Sequence, residues 1–216
     1  MALMQDAAPG GLAKAVFLDK DGTVVENVPY NVDPALVRFT PYAIDGLQLL
    51  AEEGFRLVMI TNQPGVGLGL FDEAALTRLQ VALTERLAGH GVTLDGFYAC
   101  THAPGLSASR PPCACRKPAP GLLLDAAREL RLDLDRSWMV GDILDDIEAG
   151  RRAGCKTVML DVGNETVWRS GEHRVPHHRA TNLLEAAQAI VKAERLSHPT
   201  FLPRDTLAHE PQQPRH

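Results

Sequence analysis

Five short apolar runs alternate with helical patterns along this chain, and this alternation constrains the fold more than any other feature of the sequence. Within each run the apolar residues are consecutive instead of occupying every second position. This is typical of strands that are buried on both faces of a parallel sheet. The pattern therefore predicts a doubly wound, Rossmann-like α/β fold. The predicted strands span residues 15–19, 56–62, 96–100, 138–142 and 157–161.

The segments between the strands have helical periodicity. Asp72 is a suitable N-terminal cap for a helix in which Leu76, Leu79, Leu83 and Leu87 share one face. Gly54 is a suitable C-terminal stop for the preceding helix. The predicted helices span residues 44–54, 72–91, 121–130, 143–154 and 182–196.

Length and composition indicate one domain. The chain has 216 residues, of which 45% are hydrophobic, enough for a single core. We predict this domain at residues 14–195, with flexible tails at 1–13 and 196–216, where the sequence is rich in small or polar residues and lacks periodicity. Residues 162–180 follow no pattern that we can interpret, and we expect His177 and His178 to lie in a solvated loop.

Charge and cysteine content restrict the partners and the location. A net charge of -5 argues against a nucleic-acid-binding protein. No apolar run approaches the roughly 20 residues needed to cross a bilayer, and we see no secretion signal. The four cysteines are too few for a disulfide scaffold and fit a reducing compartment. We therefore expect a cytoplasmic protein, without membrane partners and monomeric.

Reactive side chains stand where the predicted strands end. In doubly wound sheets, ligands bind beyond the carboxyl ends of the strands. Asp19 and Asp21 follow the first strand, Thr61 ends the second and Asp142 ends the fourth, while Lys117 precedes the third helix. This combination predicts phosphoryl transfer through an aspartyl phosphate. Asp19 and Asp142 would hold Mg²⁺ and Asp19 would attack phosphorus, with Asp21 as acid and base. Thr61 and Lys117 would bind the phosphoryl oxygens.

Neighbouring residues are assigned supporting roles. Gly22 would let the backbone turn tightly past the phosphate. We expect Lys20 to be solvated, Asp145 to lie on a helix surface, and Asp146 to support the metal site or Lys117. Any one of these aspartates could simply cap a turn or helix, but the whole set favours a catalytic site.

The motifs DKDGT at 19–23, ITN at 60–62, Lys117 and GDILDD at 141–146 resemble those of the haloacid dehalogenase superfamily. The resemblance covers about residues 14–195. TNQ at 61–63, CRKP at 115–118 and a C-x-H…C-x-C loop are similar to the branch that contains D-glycero-D-manno-heptose 1,7-bisphosphate phosphatases and histidinol-phosphate phosphatases. This resemblance implies a small phosphorylated metabolite, with the 7-phosphate of the heptose bisphosphate favoured as the group removed. Histidinol phosphate, or another small metabolite, is the alternative.

The resemblance also implies roles for individual residues. Asp19 would be the nucleophile and Asp21 the acid and base, with Mg²⁺ on Asp19, the Asp21 carbonyl and Asp142. Arg116 and Lys117 would contact substrate phosphate. The further predicted substrate contacts are Gly22, Thr23, Asn62 and Gln63. Two positions depart from the heptose enzymes, because Leu68 and Ile143 stand where those relatives commonly have a cation.

Three of the four cysteines lie in the loop at 100–116, together with a histidine. Their number and type suit a tetrahedral structural Zn²⁺ site, which would order this Pro- and Ser-rich loop. Small buried thiols or a redox pair are the alternatives, and we expect Cys155 to lie in the core. The predicted zinc ligands are Cys100, His102, Cys113 and Cys115.

The segments between the strands leave no room for a large cap domain, so the site should be open. Two functions of other classes are considered as well. One is a non-catalytic binding module stabilised by zinc, against which the convergent charged set argues. The other is a nucleic-acid 3′-phosphatase, against which the acidic balance and the lack of a basic, aromatic groove argue.

Overall fold

The computed structural model describes residues 11–105 and 113–197. Residues 1–10 and 198–216 of the predicted tails, and 106–112 of the predicted zinc loop, lie outside it. The described strands are β1 Ala15–Leu18, β2 Arg56–Asn62, β3 Gly96–Cys100, β4 Trp138–Gly141, β5 Lys156–Leu160 and β6 His178–Ala180. The described α-helices are α1 Ala43–Glu52, α2 Glu73–Gly89, α3 Gly121–Leu130, α4 Leu144–Ala153 and α5 Leu183–Ser197.

The strands form one parallel sheet in the order β3-β2-β1-β4-β5-β6. Five of them lie within one residue of their predicted bounds. The sequence analysis missed β6, which has only three residues and lies at the sheet edge. The expectation of a solvated loop is wrong for His178, which belongs to β6, although both histidines are exposed and His177 lies outside the strand. His178 begins β6 and stacks on Trp138 with ring centroids 5.6 Å apart, and the His177 ring accepts a 2.9 Å hydrogen bond from the Thr157 amide.

Helices cover both faces of the sheet, which confirms the doubly wound fold. Alternate residues of β1 enter different cores: Val16 and Leu18 point to one face, Ala15 and Phe17 to the other. Helices α1, α2 and α5 close the first core, and α3 and α4 close the second. Burial on both faces is the reason why the strands read as continuous apolar runs.

The strand order reverses direction between β1 and β4, which are direct neighbours with Leu18 paired to Val140. A crevice opens at such a switch point, beyond the carboxyl ends of the two strands. Asp19 and Asp142 are the residues that immediately follow β1 and β4. The topology therefore brings these two carboxylates to the same place from positions far apart in the chain.

No large cap covers this crevice in the part of the chain that the structure describes. Between β1 and α1 lies only a short 3-10 helix, Pro34–Leu36. Residues 101–105 and 113–120 connect β3 to α3 without a helix or strand. No helix within the described ranges is both long enough and apolar enough to span a bilayer.

Gly46 provides a test of how closely α1 packs against α5. A Cβ on Gly46 would lie 2.7 Å from the carbonyl carbon and oxygen of Leu183, which are backbone atoms that cannot rotate away. We expect Gly46→Ala to lower the free energy of unfolding by about 1–3 kcal/mol, as overpacking does. In the control Gly89→Ala, the Cβ would meet no atom within 4 Å, and we expect a gain of up to about 1 kcal/mol. Urea unfolding measures the free energy of unfolding of both variants. An equal gain in stability in Gly46→Ala and Gly89→Ala would contradict the close packing of α1 on α5.

Candidate active site

A buried lysine lies at the centre of the switch-point crevice. The Lys117 side chain is 2% exposed, its Nζ contacts Asp19 Oδ1, and Asp146 Oδ1 lies 2.6 Å away. Nζ also donates a 2.9 Å hydrogen bond to the Ile60 carbonyl. Burial alone would lower the pKa of Lys117, but the Asp146 and Asp19 carboxylates outweigh it and raise the pKa above its usual value. Lys117 is therefore a charged residue that joins β1, β2 and α4.

Three carboxylates converge on this lysine. One oxygen each of Asp19, Asp142 and Asp146 lies within 4.8 Å of the others. Burial, followed by the nearby Asp19 charge, raises the pKa of Asp142 to about 6. One ammonium does not balance three carboxylates, and a cluster of carboxylate oxygens is the donor set that a hard divalent cation prefers. The residues present therefore fit Mg²⁺.

Asp21 lies beside this cluster with both carboxylate oxygens occupied. Lys20 Nζ donates to Oδ1, and Gln63 Nε2 donates to Oδ2 at 3.0 Å. Burial raises the pKa of Asp21, with Lys20 acting in the opposite direction. The prediction that Lys20 is solvated is wrong: Lys20 is 3% exposed, because the chain turns back after β1 and the side chain pairs with Asp21.

The turn that carries Asp21 requires a glycine. Gly22 has φ +86° and donates a 2.7 Å hydrogen bond to the Val25 carbonyl, which closes the turn. A Cβ at this position would overlap the Asp142 carboxylate. The buried Thr23 hydroxyl lies 3.4 Å from Asp142 Oδ1. The turn therefore packs directly on Asp142, and Gly22 is the residue that permits this approach.

The end of β2 supplies three polar residues in a row. The Thr61 hydroxyl is buried and accepts a 3.0 Å hydrogen bond from Gln63 Nε2. The Asn62 side chain holds Lys117 by two hydrogen bonds: it donates to the Lys117 carbonyl and accepts from the Lys117 amide, both at 3.1 Å. Asn62 thus fixes the backbone at Lys117, while Gln63 joins the Thr61 hydroxyl to the Asp21 carboxylate.

The second cluster consists of Cys100, His102, Cys113 and Cys115, whose ligand atoms all lie within 4.8 Å of one another. Sulfur separations are 3.3 Å for Cys100–Cys115 and 3.6 Å for Cys100–Cys113, and His102 Nδ1 lies 3.1 Å from the Cys115 sulfur. A zinc tetrahedron with bonds of roughly 2.3 Å has edges of roughly 3.8 Å. The four side chains therefore fit Zn²⁺. Without a metal, burial and the adjacent thiols raise the pKa of Cys115 to about 12.

The Cys/His cluster is adjacent in sequence to two cationic residues of the crevice region. Arg116 follows Cys115 directly, and its Nη1 is buried with no hydrogen-bond partner within the described residues. Buried guanidinium nitrogens normally have acceptors. A bound anion would satisfy this nitrogen. Cys155 is 3% exposed and lies in the core, as predicted.

The sequence analysis missed two residues that contact the site. Asn164 Nδ2 donates a 2.7 Å hydrogen bond to Asp142 Oδ2, and Glu165 Oε2 accepts a 2.8 Å hydrogen bond from the Leu144 amide at the start of α4. Both lie in the segment 162–180 that had no interpretation. Their position just beyond the carboxyl end of β5 was the available signal, since that edge is where ligands bind in such sheets.

Comparison with known proteins is consistent with this geometry. Residues 114–186 match the family described as HAD-hydrolase-like. The chain is 40% identical over 160 residues to the D-glycero-beta-D-manno-heptose-1,7-bisphosphate 7-phosphatase of Yersinia pestis, covering 73% of this chain and 85% of that protein. It is 36% identical over 189 residues to the Escherichia coli (strain K12) protein of the same name, covering 84% and 95%.

A solved structure has the same fold. The D,D-heptose 1,7-bisphosphate phosphatase from B. bronchiseptica, complexed with magnesium and phosphate, superposes with a TM-score of 0.68 and 29% sequence identity. The match covers 83% of this chain and 99% of that one. The similarity thus extends over most of both chains.

Removal of the central lysine should be costly to stability. Lys117→Met leaves the Asp19 and Asp146 carboxylates unpaired, and we expect a loss of about 3–5 kcal/mol in the free energy of unfolding, measured without added divalent cation. Adding Asp146→Asn to this variant should recover part of the loss, because it removes one buried charge. The control Arg128→Met breaks a pair whose arginine is 71% exposed, and should cost less than about 1 kcal/mol. A similar loss of unfolding free energy in Lys117→Met and Arg128→Met would contradict the stabilising role of the buried ion pairs.

Proposed function

This chain belongs to the haloacid-dehalogenase-like phosphatases, in the family of the D-glycero-beta-D-manno-heptose-1,7-bisphosphate 7-phosphatases, and we propose that it removes the 7-phosphate of that heptose bisphosphate. It is a phosphatase that acts on phosphoric monoesters. One observation carries the proposed chemistry: Asp19 lies at the switch point in contact with the buried Lys117, with Asp21 beside it. We therefore propose a covalent aspartyl phosphate on Asp19.

In the first step, an Asp19 oxygen attacks phosphorus while the bond from phosphorus to the sugar oxygen breaks. Asp21 gives its proton to that leaving oxygen. Burial raises the pKa of Asp21, which favours a carboxyl group that can carry this proton. The products of this step are the free sugar hydroxyl, aspartyl phosphate and an ionised Asp21.

In the second step, water attacks the same phosphorus and Asp21 takes a proton from it. The bond between phosphorus and the Asp19 oxygen breaks, which releases inorganic phosphate and restores both carboxyl groups. One carboxyl group thus serves as acid and then as base, as the reversal of proton flow requires. The bond to Gln63 and the pair with Lys20 keep Asp21 beside the phosphorus through both steps.

Phosphate oxygens need partners whose charge opposes their own. We propose the Lys117 ammonium, the Thr61 hydroxyl and the backbone at Thr23 for this role, whereas the predicted contact from Gly22 is not kept because its amide donates to the Val25 carbonyl. Asp19, the Asp21 carbonyl and Asp142 would hold Mg²⁺, which when bound neutralises the repulsion between phosphate and the attacking carboxylate. Asp146 lies beside Lys117, where it stabilises the ammonium charge and orients the lysine side chain.

For the Cys/His cluster we propose structural Zn²⁺. All four ligands would come from the protein, so no position would remain for a catalytic water. Arg116 and Lys117 follow Cys115 directly in the chain. An ordered cluster therefore fixes the positions of these two cations. The buried Nη1 of Arg116, which has no hydrogen-bond partner among the residues that the structure describes, supports a contact from Arg116 to a substrate phosphate.

The candidate substrates differ in the second charged group that they carry, which in the heptose bisphosphate is a second phosphate. Leu68 and Ile143 supply no cation for a distal phosphate, and this favours keeping histidinol phosphate as the second candidate. The non-catalytic binding module and the nucleic-acid 3′-phosphatase find no supporting contact among the described residues. The cytoplasmic location, the monomeric state and the lack of nucleic-acid or membrane partners stay predictions from composition.

Phosphate release tests the proposed chemistry. We expect Mg²⁺-dependent turnover of heptose 1,7-bisphosphate, with a preference over histidinol phosphate and a panel of phosphate monoesters. Asp19→Asn should lower kcat by about three orders of magnitude or more, since it removes the nucleophile. Asp161 also follows a strand, β5, but is exposed and pairs with Arg179, so Asp161→Asn should retain full activity.

Equal activity in Asp19→Asn and the unmodified protein would contradict the covalent mechanism. Uniformly weak turnover across the panel, lost in Asp19→Asn, would instead retain the chemistry and overturn the heptose assignment.

The zinc assignment is tested by metal content. We expect about one equivalent of zinc per purified chain, and its loss in Cys113→Ser together with a lower melting temperature, because the ligand set is then incomplete. The control Cys155→Ala changes a cysteine that lies in the core outside the cluster and should keep its zinc. The assignment would be overturned if the unmodified protein contained no zinc and neither variant differed from it in melting temperature.

A further inference from the structure

We propose that Gln63 is a positioning residue for Asp21, and that it transmits the order of the Cys/His cluster to the proton-transfer group. This inference rests on the proposed function, in which Asp21 is the acid and base. It replaces the substrate contact predicted for Gln63 from the sequence with a contact to the catalytic machinery itself.

The side chain of Gln63 is committed to two protein acceptors. Gln63 is 4% exposed, and its Nε2 donates to Asp21 Oδ2 and to Thr61 Oγ1, each at 3.0 Å. A glutamine amide nitrogen has two hydrogens, so these two bonds use its whole donor capacity. None remains for a phosphate oxygen, whereas both bonds end on groups to which the proposed function gives a role beside the reacting phosphorus.

The two donors around Asp21 hold its carboxylate from different sides. Lys20 occupies Oδ1 and Gln63 occupies Oδ2. Each carboxylate oxygen has capacity for a further hydrogen-bond partner, so a leaving oxygen or a water can still be reached. Loss of Gln63 would free the Oδ2 side and let the carboxylate rotate about its side-chain torsions. Proton transfer depends on this geometry, because the acid must lie within hydrogen-bond reach of the oxygen it protonates.

The backbone of Gln63 is tied to the cluster. Its amide donates a 2.8 Å hydrogen bond to the carbonyl of Cys100, one of the four cluster residues, and the Gly67 amide donates at 2.9 Å to the Thr101 carbonyl. Gly67 packs so closely on this segment that a Cβ would overlap the Ala103 amide. The path from the cluster to Asp21 is therefore short: Cys100 carbonyl, Gln63 backbone, Gln63 side chain, Asp21.

The test compares leaving groups. An alkyl phosphate such as the sugar phosphate needs its leaving oxygen protonated, whereas p-nitrophenyl phosphate releases a stable phenolate that needs little help. Gln63→Met keeps the length of the side chain and removes both donors. We expect kcat/KM to fall by about tenfold or more for the alkyl phosphate and by less than about threefold for p-nitrophenyl phosphate. Asp21→Asn should show the same selectivity more strongly.

A double-mutant comparison isolates the route through Asp21. In an Asp21→Asn background, Gln63→Met should cause no further selective loss, because the group that it positions is already disabled. The control Gln48→Met removes another glutamine hydrogen bond, from Gln48 Nε2 on α1 to the carbonyl of His90, which follows α2. Both residues lie outside the site, so kcat/KM should stay unchanged for both substrates. If Gln63→Met folds poorly, as its melting temperature would reveal, Gln63→Asn keeps a buried amide that is too short to reach Asp21.

Equal losses for both leaving groups in a folded Gln63 variant would overturn the inference, because they indicate a general structural or substrate-binding role. Additive losses in the double variant would overturn it as well. A lack of selectivity in Asp21→Asn itself would remove the premise by contradicting the acid role in the proposed function. That outcome is distinguishable, since it appears in the Asp21 variant alone.

Discussion

The buried ammonium of Lys117 is the interaction on which the rest of the site depends. It contacts Asp19 after β1, the Ile60 carbonyl in β2 and Asp146 in α4, and so joins three elements through one charge. Without it, two buried carboxylates would lie unpaired at the carboxyl end of the sheet, at a cost of several kcal/mol. A phosphate also requires a positive charge. The Lys117 ammonium therefore both offsets the repulsion within the carboxylate cluster and provides a cation for an anionic substrate.

Several otherwise unrelated features follow from holding that ammonium in place. Asn62 fixes the Lys117 backbone through two hydrogen bonds, and the Cys/His cluster ends two residues before it. Gly22 and Asn164 bring two loops against Asp142, which keeps the second carboxylate of the crevice in a defined position. The loops around the crevice are thus ordered by polar contacts, whereas the sheet beneath them is ordered by apolar burial.

The sequence predicted the apolar part of this structure better than its polar contacts. Continuous apolar runs located five strands, and their carboxyl ends pointed to Asp19, Thr61 and Asp142, because topology alone brings such ends together. Lys20 was assigned to solvent because a turn residue gives no periodic signal of burial. The segment containing Asn164 and Glu165, together with β6, was missed since its order comes from individual hydrogen bonds to distant residues, which no local pattern encodes.

In the proposed mechanism, Asp19 carries the phosphoryl group during turnover. Rapid acid quench of the protein during turnover, followed by borohydride reduction, would convert an aspartyl phosphate to homoserine, and peptide mass mapping would locate it. We expect homoserine at position 19 only when Mg²⁺ and substrate are both present, with none at Asp21 or Asp142. Homoserine at another aspartate under conditions of full turnover, or a phosphoryl group trapped on a different side chain, would contradict this mechanism.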